Sequence, residues 1–99
     1  MAATTYPQAP TPWGNRTYLN ITAATVVKTG SGVPVTCAVV VAGSTAGAIY
    51  DASSTSGNTS ANQVFVAPNT VGNYPVSFPC ITGIVVTPGT GQTIALSFD

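Results

Sequence analysis

Residues 83–98 read GIVVTPGTGQTIALSF, two apolar, β-branched runs on either side of the turn-forming stretch PGTG. This pattern predicts a β-hairpin. The segment contains no charged side chain, although charges normally protect the edge of an exposed sheet. We therefore expect the hairpin to be covered in the working protein by sister copies of the chain or by another protein.

Side chains of the last run alternate in character, which predicts the face that is buried. The apolar face consists of Ile94, Leu96 and Phe98. The opposite face is small and uncharged and consists of Thr93, Ala95 and Ser97. Because small side chains permit close approach, we predict that this second face contacts a sister subunit or the surface to which the protein binds.

From about residue 18 onward, the chain divides into short β-like runs separated by clusters of Gly, Ser, Thr, Asn and Pro. The candidate strands are residues 18–28, 33–42, 46–52, 63–67, 73–80, 83–87 and 93–98. A second alternating core face is formed by Val33, Val35, Cys37, Val39 and Val41. No helical period is sustained, so the sequence predicts an all-β protein with a single β-sandwich, either jelly-roll or immunoglobulin-like.

The first fifteen residues, MAATTYPQAPTPWGN, differ from the rest of the chain. Their prolines favour an extended conformation, so residues 1–15 are predicted to form an N-terminal arm and residues 16–99 the sandwich domain. Trp13 and Tyr6 could bind an aromatic groove, anchor the arm on a neighbouring subunit, or fold back on their own domain. We predict an interface role for Tyr6, Pro7, Pro10, Pro12 and Trp13.

Only 4% of the residues are charged, and the formal net charge is zero. The charged residues are Arg16, Lys28, Asp51 and Asp99. Two separated cations cannot form the basic stripe that nucleic acids or anionic membranes require, so neither is an expected partner. The N-terminus shows no secretory signal pattern, which predicts synthesis and folding in the cytosol.

The residues offer little for catalysis. Histidine is absent, the carboxylates are only Asp51 and Asp99, and the Gly-rich turns lack a phosphate-binding lysine. We predict no catalytic residues, no metal site and no cofactor.

Cys37 and Cys80 both fall on core faces if Val76, Phe78 and Cys80 alternate. They are expected to be buried reduced thiols, with a disulfide across the sandwich as the alternative.

Three segments carry a resemblance to a known group of proteins. They are TVVKTG at residues 25–30, IYD at 49–51 and the pattern GxxVxPGTGQ at 83–92. In these segments the chain resembles small virion proteins encoded in tailed-phage structural gene clusters. The resemblance covers about residues 25–98 and implies a virion component, with capsid decoration as the expected role.

These observations lead to one principal functional hypothesis and one alternative. The principal hypothesis is a cement protein on the capsid surface, a dimer or trimer that contacts the major capsid protein and bridges its subunits. The alternative is a tail or fibre module that recognises a host glycan by stacking sugar rings on Tyr18, Tyr50 or Tyr74.

Overall fold

The computed structural model describes residues 14–99, which form eight β-strands and no helix. The strands are β1 (Arg16–Ile21), β2 (Thr25–Thr29), β3 (Pro34–Val41), β4 (Gly47–Tyr50), β5 (Gln63–Ala67), β6 (Gly72–Pro75), β7 (Gly83–Thr87) and β8 (Thr93–Phe98). Every pairing between these strands is antiparallel. The all-β class predicted from the sequence is confirmed.

The strands form two four-stranded sheets, ordered β1-β8-β3-β6 and β2-β7-β4-β5. Their pairing is nested along the chain, because β1 pairs with β8, β2 with β7, β3 with β6 and β4 with β5. One core cluster contains Cys37 and Leu96 from the first sheet with Ile49 and Ile84 from the second. The two sheets therefore bury their apolar faces together in a β-sandwich-like fold.

The hairpin predicted for residues 83–98 is wrong. β7 and β8 lie in different sheets, and each is a central strand, β7 between β2 and β4 and β8 between β1 and β3. Alternation identifies a strand but not its partner, and the five residues between these strands are enough to cross the gap of about 10 Å between packed sheets. The edges of this uncharged segment are thus covered by strands of the same chain.

Two other predicted strands differ substantially from the observed ones, whereas those at 33–42 and 46–52 differ by only one or two residues at each end. The run at 18–28 is interrupted after Ile21, so that β1 and β2 belong to different sheets. The run at 73–80 ends as a strand at Pro75, and only an isolated bridge between Cys80 and Gly32 follows. Proline cannot donate a ladder hydrogen bond, which explains why pairing stops in this stretch.

The predicted core faces are confirmed for the most part. Ile94, Leu96 and Phe98 are buried, and so are Val35, Cys37 and Val39. Val41 is 48% exposed, because the register of β3 against β8 shifts between Val39 and Val41.

Part of the predicted arm lies outside the described residues, including Tyr6, Pro7, Pro10, Pro12 and Trp13. The described chain begins beside the end of β8, where the backbone N–H of Asn15 donates to Phe98 O at 3.1 Å.

Candidate functional site

Three of the four charged side chains form hydrogen bonds with backbone atoms of the same chain. Lys28 Nζ donates to the backbone oxygen of Asp99 at 3.2 Å, and Asp99 Oδ1 accepts from Asn15 N at 3.0 Å. Asp51 accepts three backbone hydrogen bonds, and Arg16 is exposed on the edge strand β1. Little charge is left over for recognising a partner.

Asp51 holds the stretch that leads into β7. Its Oδ2 accepts from Ile81 N at 3.1 Å, and its Oδ1 accepts from Thr82 N at 2.8 Å and from Gly83 N at 3.2 Å. Desolvation raises the pKa of Asp51, but these three backbone donors outweigh it and the net shift is downward. The carboxylate therefore acts as a clamp on the backbone around Ile81.

Residues 78–81, FPCI, form a loop that is fixed from both sides; we call it the FPCI loop. On one side, Cys80 N donates to Gly32 O at 2.7 Å and Gly32 N donates to Cys80 O at 3.0 Å. On the other side stands the Asp51 clamp. The Cys80 side chain is buried, whereas Phe78 is 48% exposed and Ile81 is 80% exposed. Two large apolar side chains are thus presented to solvent on a loop that is hydrogen-bonded to the sandwich on both sides.

A shallow groove of about 370 Å³ runs beside Ile81. It is lined by Lys28, Ser31, Gly32, Val33, Pro79, Cys80, Ile81 and Asp99. The only two charged residues among them contact each other through Lys28 Nζ and the Asp99 backbone oxygen. The groove therefore offers an apolar floor and backbone groups, which suit an uncharged occupant.

A second apolar surface lies at the other end of β3; we call it the valine patch, and it consists of Val40, Val41 and Val71. All three side chains are exposed, Val71 by 60%. Val71 precedes Gly72, which pairs with Val39, so it lies at the same end as the other two. Because β3 has eight residues, the valine patch and the FPCI loop are separated by about 25 Å.

The predicted contact residues Thr93, Ala95 and Ser97 are half-buried on the outer face of β8. They stand in the middle of a sheet and not on an open edge. Ser97 Oγ accepts a hydrogen bond from Thr36 N at 3.1 Å, so that hydroxyl has a partner within its own sheet. A contact between this face and a sister subunit stays a prediction.

The tyrosines of the glycan hypothesis are not brought together. Tyr18 lies on β1 and Tyr74 on β6, the opposite edges of one sheet, and Tyr50 lies on β4 in the other sheet. The Tyr74 hydroxyl also donates to Thr70 O at 2.8 Å. These three rings do not form a common stacking platform.

Cys37 and Cys80 are both buried and unbonded. Burial raises the pKa of each thiol to about 11, and for Cys80 the negative charge of Asp51 adds to this effect. At neutral pH both thiols are protonated and poorly nucleophilic. Their persistence as thiols in an assembled particle stays a prediction.

Sequence reasoning missed the FPCI loop because it assigned Phe78 to the core with Val76 and Cys80. Val76 packs against the core and Cys80 is buried, but Phe78 points to solvent. The usable signal was Pro79 next to Phe78, because a proline inside an apolar run argues against a regular strand.

Within residues 14–99, no group of three or more potential metal-ligating side chains is present. No helix in that range is long and apolar enough to cross a membrane. The class that the structure defines is an all-β, β-sandwich-like protein. Comparison with protein-family models, with curated proteins and with solved structures finds no match for the chain.

The Asp51 clamp predicts an acid-sensitive contribution to stability. A carboxyl whose pKa is lowered on folding stabilises the fold above its unfolded pKa of about 3.9, and this stabilisation is lost as the pH falls through the lower folded pKa. We expect Asp51→Asn to lower the free energy of unfolding at pH 7 and to remove this part of the acid dependence. Urea unfolding of both proteins from neutral to acidic pH measures it. Parallel pH profiles for wild type and Asp51→Asn would contradict the clamp.

Proposed function

We propose that this chain is a non-enzymatic structural protein of a phage virion that decorates and cements the assembled capsid. The observation that carries the proposal is the presence of two exposed apolar surfaces, the FPCI loop and the valine patch, at opposite ends of one sandwich. A domain with two such surfaces can hold two neighbours at once. The resemblance of residues 25–30, 49–51 and 83–92 to small tailed-phage virion proteins supplies the setting.

The nested strand pairing favours a jelly-roll topology over an immunoglobulin-like one. Immunoglobulin-like sandwiches have seven or nine strands, whereas a jelly roll has eight strands in two sheets. Pairing of the first strand with the last, and so on inward to β4 with β5, is what results when one long antiparallel ribbon is wound into two sheets. Jelly rolls occur in viral capsid and lectin domains, so this topology agrees with the proposal.

In the proposed mechanism, the free energy of binding to the assembled capsid stabilises the capsid. The protein is made in the host cytoplasm and acts on the capsid surface as a dimer or trimer. One apolar surface contacts a sister subunit and the other contacts the major capsid protein. A ligand that binds only the assembled lattice stabilises it by mass action, and linking several copies increases the effect through multivalency.

Attachment to capsids is expected to depend little on ionic strength. Exposed ion pairs are screened beyond about 10 Å at 0.1 M salt. In this chain Lys28, Asp51 and Asp99 bind backbone atoms of their own domain, so apolar burial must supply most of the affinity. The measurement is occupancy of stripped capsids by added protein across a salt series up to about 1 M. Release at moderate salt would show that charge dominates the contact and would contradict the mechanism.

A pair of matched variants tests which surface binds the shell. Val71→Asp places a charge in the valine patch and is expected to reduce occupancy. Val66→Asp is the control, because Val66 is similarly exposed, at 57%, but lies on β5 at an edge of the other sheet. Equal occupancy for wild type and both variants would remove the valine patch from the proposal.

Copy number separates cement from the tail or fibre alternative. Quantitative mass spectrometry of purified particles should give a value close to the number of capsid subunits or a simple fraction of it. A copy number that matches the tail would contradict the proposal.

A further inference from the structure

The N-terminal segment enters the sandwich at the rim of the groove beside Ile81. Asn15 N donates to Phe98 O at 3.1 Å and to Asp99 Oδ1 at 3.0 Å, and Asp99 itself lines the groove. Thirteen residues precede Gly14 and lie outside the described part of the chain. Fully extended, a segment of that length spans up to about 45 Å, enough to reach a neighbouring molecule.

The chemistry of that segment matches the groove. Residues 1–13, MAATTYPQAPTPW, carry no charged side chain and include three prolines and two aromatic residues. The groove offers apolar side chains from Val33, Pro79 and Ile81, and its one lysine already binds the Asp99 backbone oxygen. A Pro-rich, aromatic peptide suits such a groove because it loses little conformational entropy on binding.

The prolines favour a neighbour's groove over the chain's own. Proline disfavours the helical conformation of the residue that precedes it, and Pro10 and Pro12 follow Ala9 and Thr11 in the sequence. We therefore expect this segment to resist the sharp reversal that would return residues 6–12 to the groove of their own chain. We propose that the groove beside Ile81 receives the segment 1–13 of a second copy of this chain, with Tyr6 as an anchor, because Tyr6 precedes Asn15 by nine residues and can lie up to about 30 Å from it. This inference deepens the proposed function, on which it rests for the setting, by naming the contact between sister subunits.

A complementation experiment on the full-length protein tests this exchange. Tyr6→Ser damages the segment and leaves the groove intact, whereas Ile81→Asp damages the groove and leaves the segment intact. Each variant alone is expected to self-associate roughly thirtyfold more weakly than wild type, the loss typical of a central apolar anchor. When the two variants are mixed, an intact segment meets an intact groove, so association is recovered in heteromers. Sedimentation velocity over a concentration series measures both effects.

Three outcomes would overturn the inference: wild type that remains monomeric throughout the series, single variants that associate like wild type, or a mixture no stronger than its components. The last result is expected if each segment folds onto its own groove. Ile81 is 80% exposed, so Ile81→Asp should fold, and Ile81→Ser with an unchanged unfolding midpoint serves as the second groove variant. Val66→Asp is the matched surface control.

Capsid occupancy of the same variants separates this inference from the proposed function. Loss of self-association with retained capsid binding would leave the cement role standing for single copies. Complementation without any capsid binding would leave the exchange standing and overturn the cement role.

Discussion

Replacement of Gly89 by alanine is expected to cost about 3 kcal/mol or more of the free energy of unfolding, a large part of what a domain of this size has. A Cβ atom at this position would overlap the carbonyl oxygen of Thr45 and lie 2.8 Å from that of Ala46. Both obstacles are backbone atoms, so no side chain can move aside. The midpoint of thermal unfolding should fall by at least about 12 °C.

A control variant, Gly57→Ala, separates the steric overlap at Gly89 from the backbone strain that any residue other than glycine experiences at positive φ. Gly57 has a φ of +78°, and a Cβ there would meet nothing within 4 Å. Gly57→Ala should therefore cost only the strain of a left-handed backbone, about 1 kcal/mol. Equal losses for Gly57→Ala and Gly89→Ala in chemical denaturation would contradict the close packing at Gly89.

That packing joins two of the connections that cross between the sheets at one end of the sandwich. The β3–β4 connection contacts the β7–β8 connection through Ser44 N to Thr90 O, at 2.8 Å, and through Thr90 N to Thr45 Oγ1, also at 2.8 Å. The stretch PGTG was interpreted from sequence as a hairpin turn, but it connects two sheets. Turn-forming residues indicate where a chain changes direction and not which strand it pairs with next.

Strand positions and core faces were predictable because they follow from local alternation. The bounds of β5, β7 and β8 agree with the sequence patterns, and Ile94, Leu96 and Phe98 are buried as predicted. Sheet membership was not predictable, because in a nested pairing β1 meets β8 across almost the whole chain. Nothing local to Tyr18 encodes its partner Leu96.

The candidate binding surfaces were harder to predict from the sequence than the strands. Phe78 and Ile81 look like core residues by composition, but both side chains are exposed, and the backbone of Ile81 is held by Asp51 from thirty residues away in the sequence. The sequence analysis considered Asp51 as a charged residue, as a possible catalytic carboxylate and as part of the segment IYD, but not as a partner for backbone donors. A charged residue in a chain with so few of them can be structural when it satisfies several backbone donors at once.

The three segments on which the predicted resemblance to phage virion proteins rests, residues 25–30, 49–51 and 83–92, contribute to the framework of this fold. Lys28 binds the C-terminal backbone, Asp51 clamps the residues before β7, and Gln92 is buried beneath the β7–β8 connection. The exposed side chains Ile81 and Val71 lie outside all three segments. The predicted resemblance therefore rests on residues of the scaffold and not on the surfaces proposed to bind partners. Variants of those surfaces provide the sharper test of the proposed function.

Replacement of Gln92 by leucine is expected to destabilise the protein by about 2–4 kcal/mol, because it leaves two backbone groups without partners. Gln92 is 1% exposed; its Oε1 accepts from Gly89 N at 3.0 Å, and its Nε2 donates to Pro68 O at 2.9 Å. One amide thus ties the β7–β8 connection to the β5–β6 connection. Leucine fills a similar volume but satisfies neither group.

Gln63→Leu is the matched control for this prediction. Gln63 is half-buried on β5 and makes one long hydrogen bond, from Nε2 to Phe65 O at 3.4 Å, so its loss should cost less than about 1 kcal/mol.

A second variant, Gln92→Glu, keeps an acceptor for Gly89 N but loses the donor to Pro68 O while its carboxyl is ionised. Burial disfavours that ionised form, so Gln92→Glu should be less destabilising near pH 4.5, roughly the ordinary pKa of glutamate, than at pH 7. Chemical denaturation of the three variants at both pH values measures these differences. The buried bridge would be contradicted if Gln92→Leu were as stable as Gln63→Leu, or if the stability of Gln92→Glu did not change with pH.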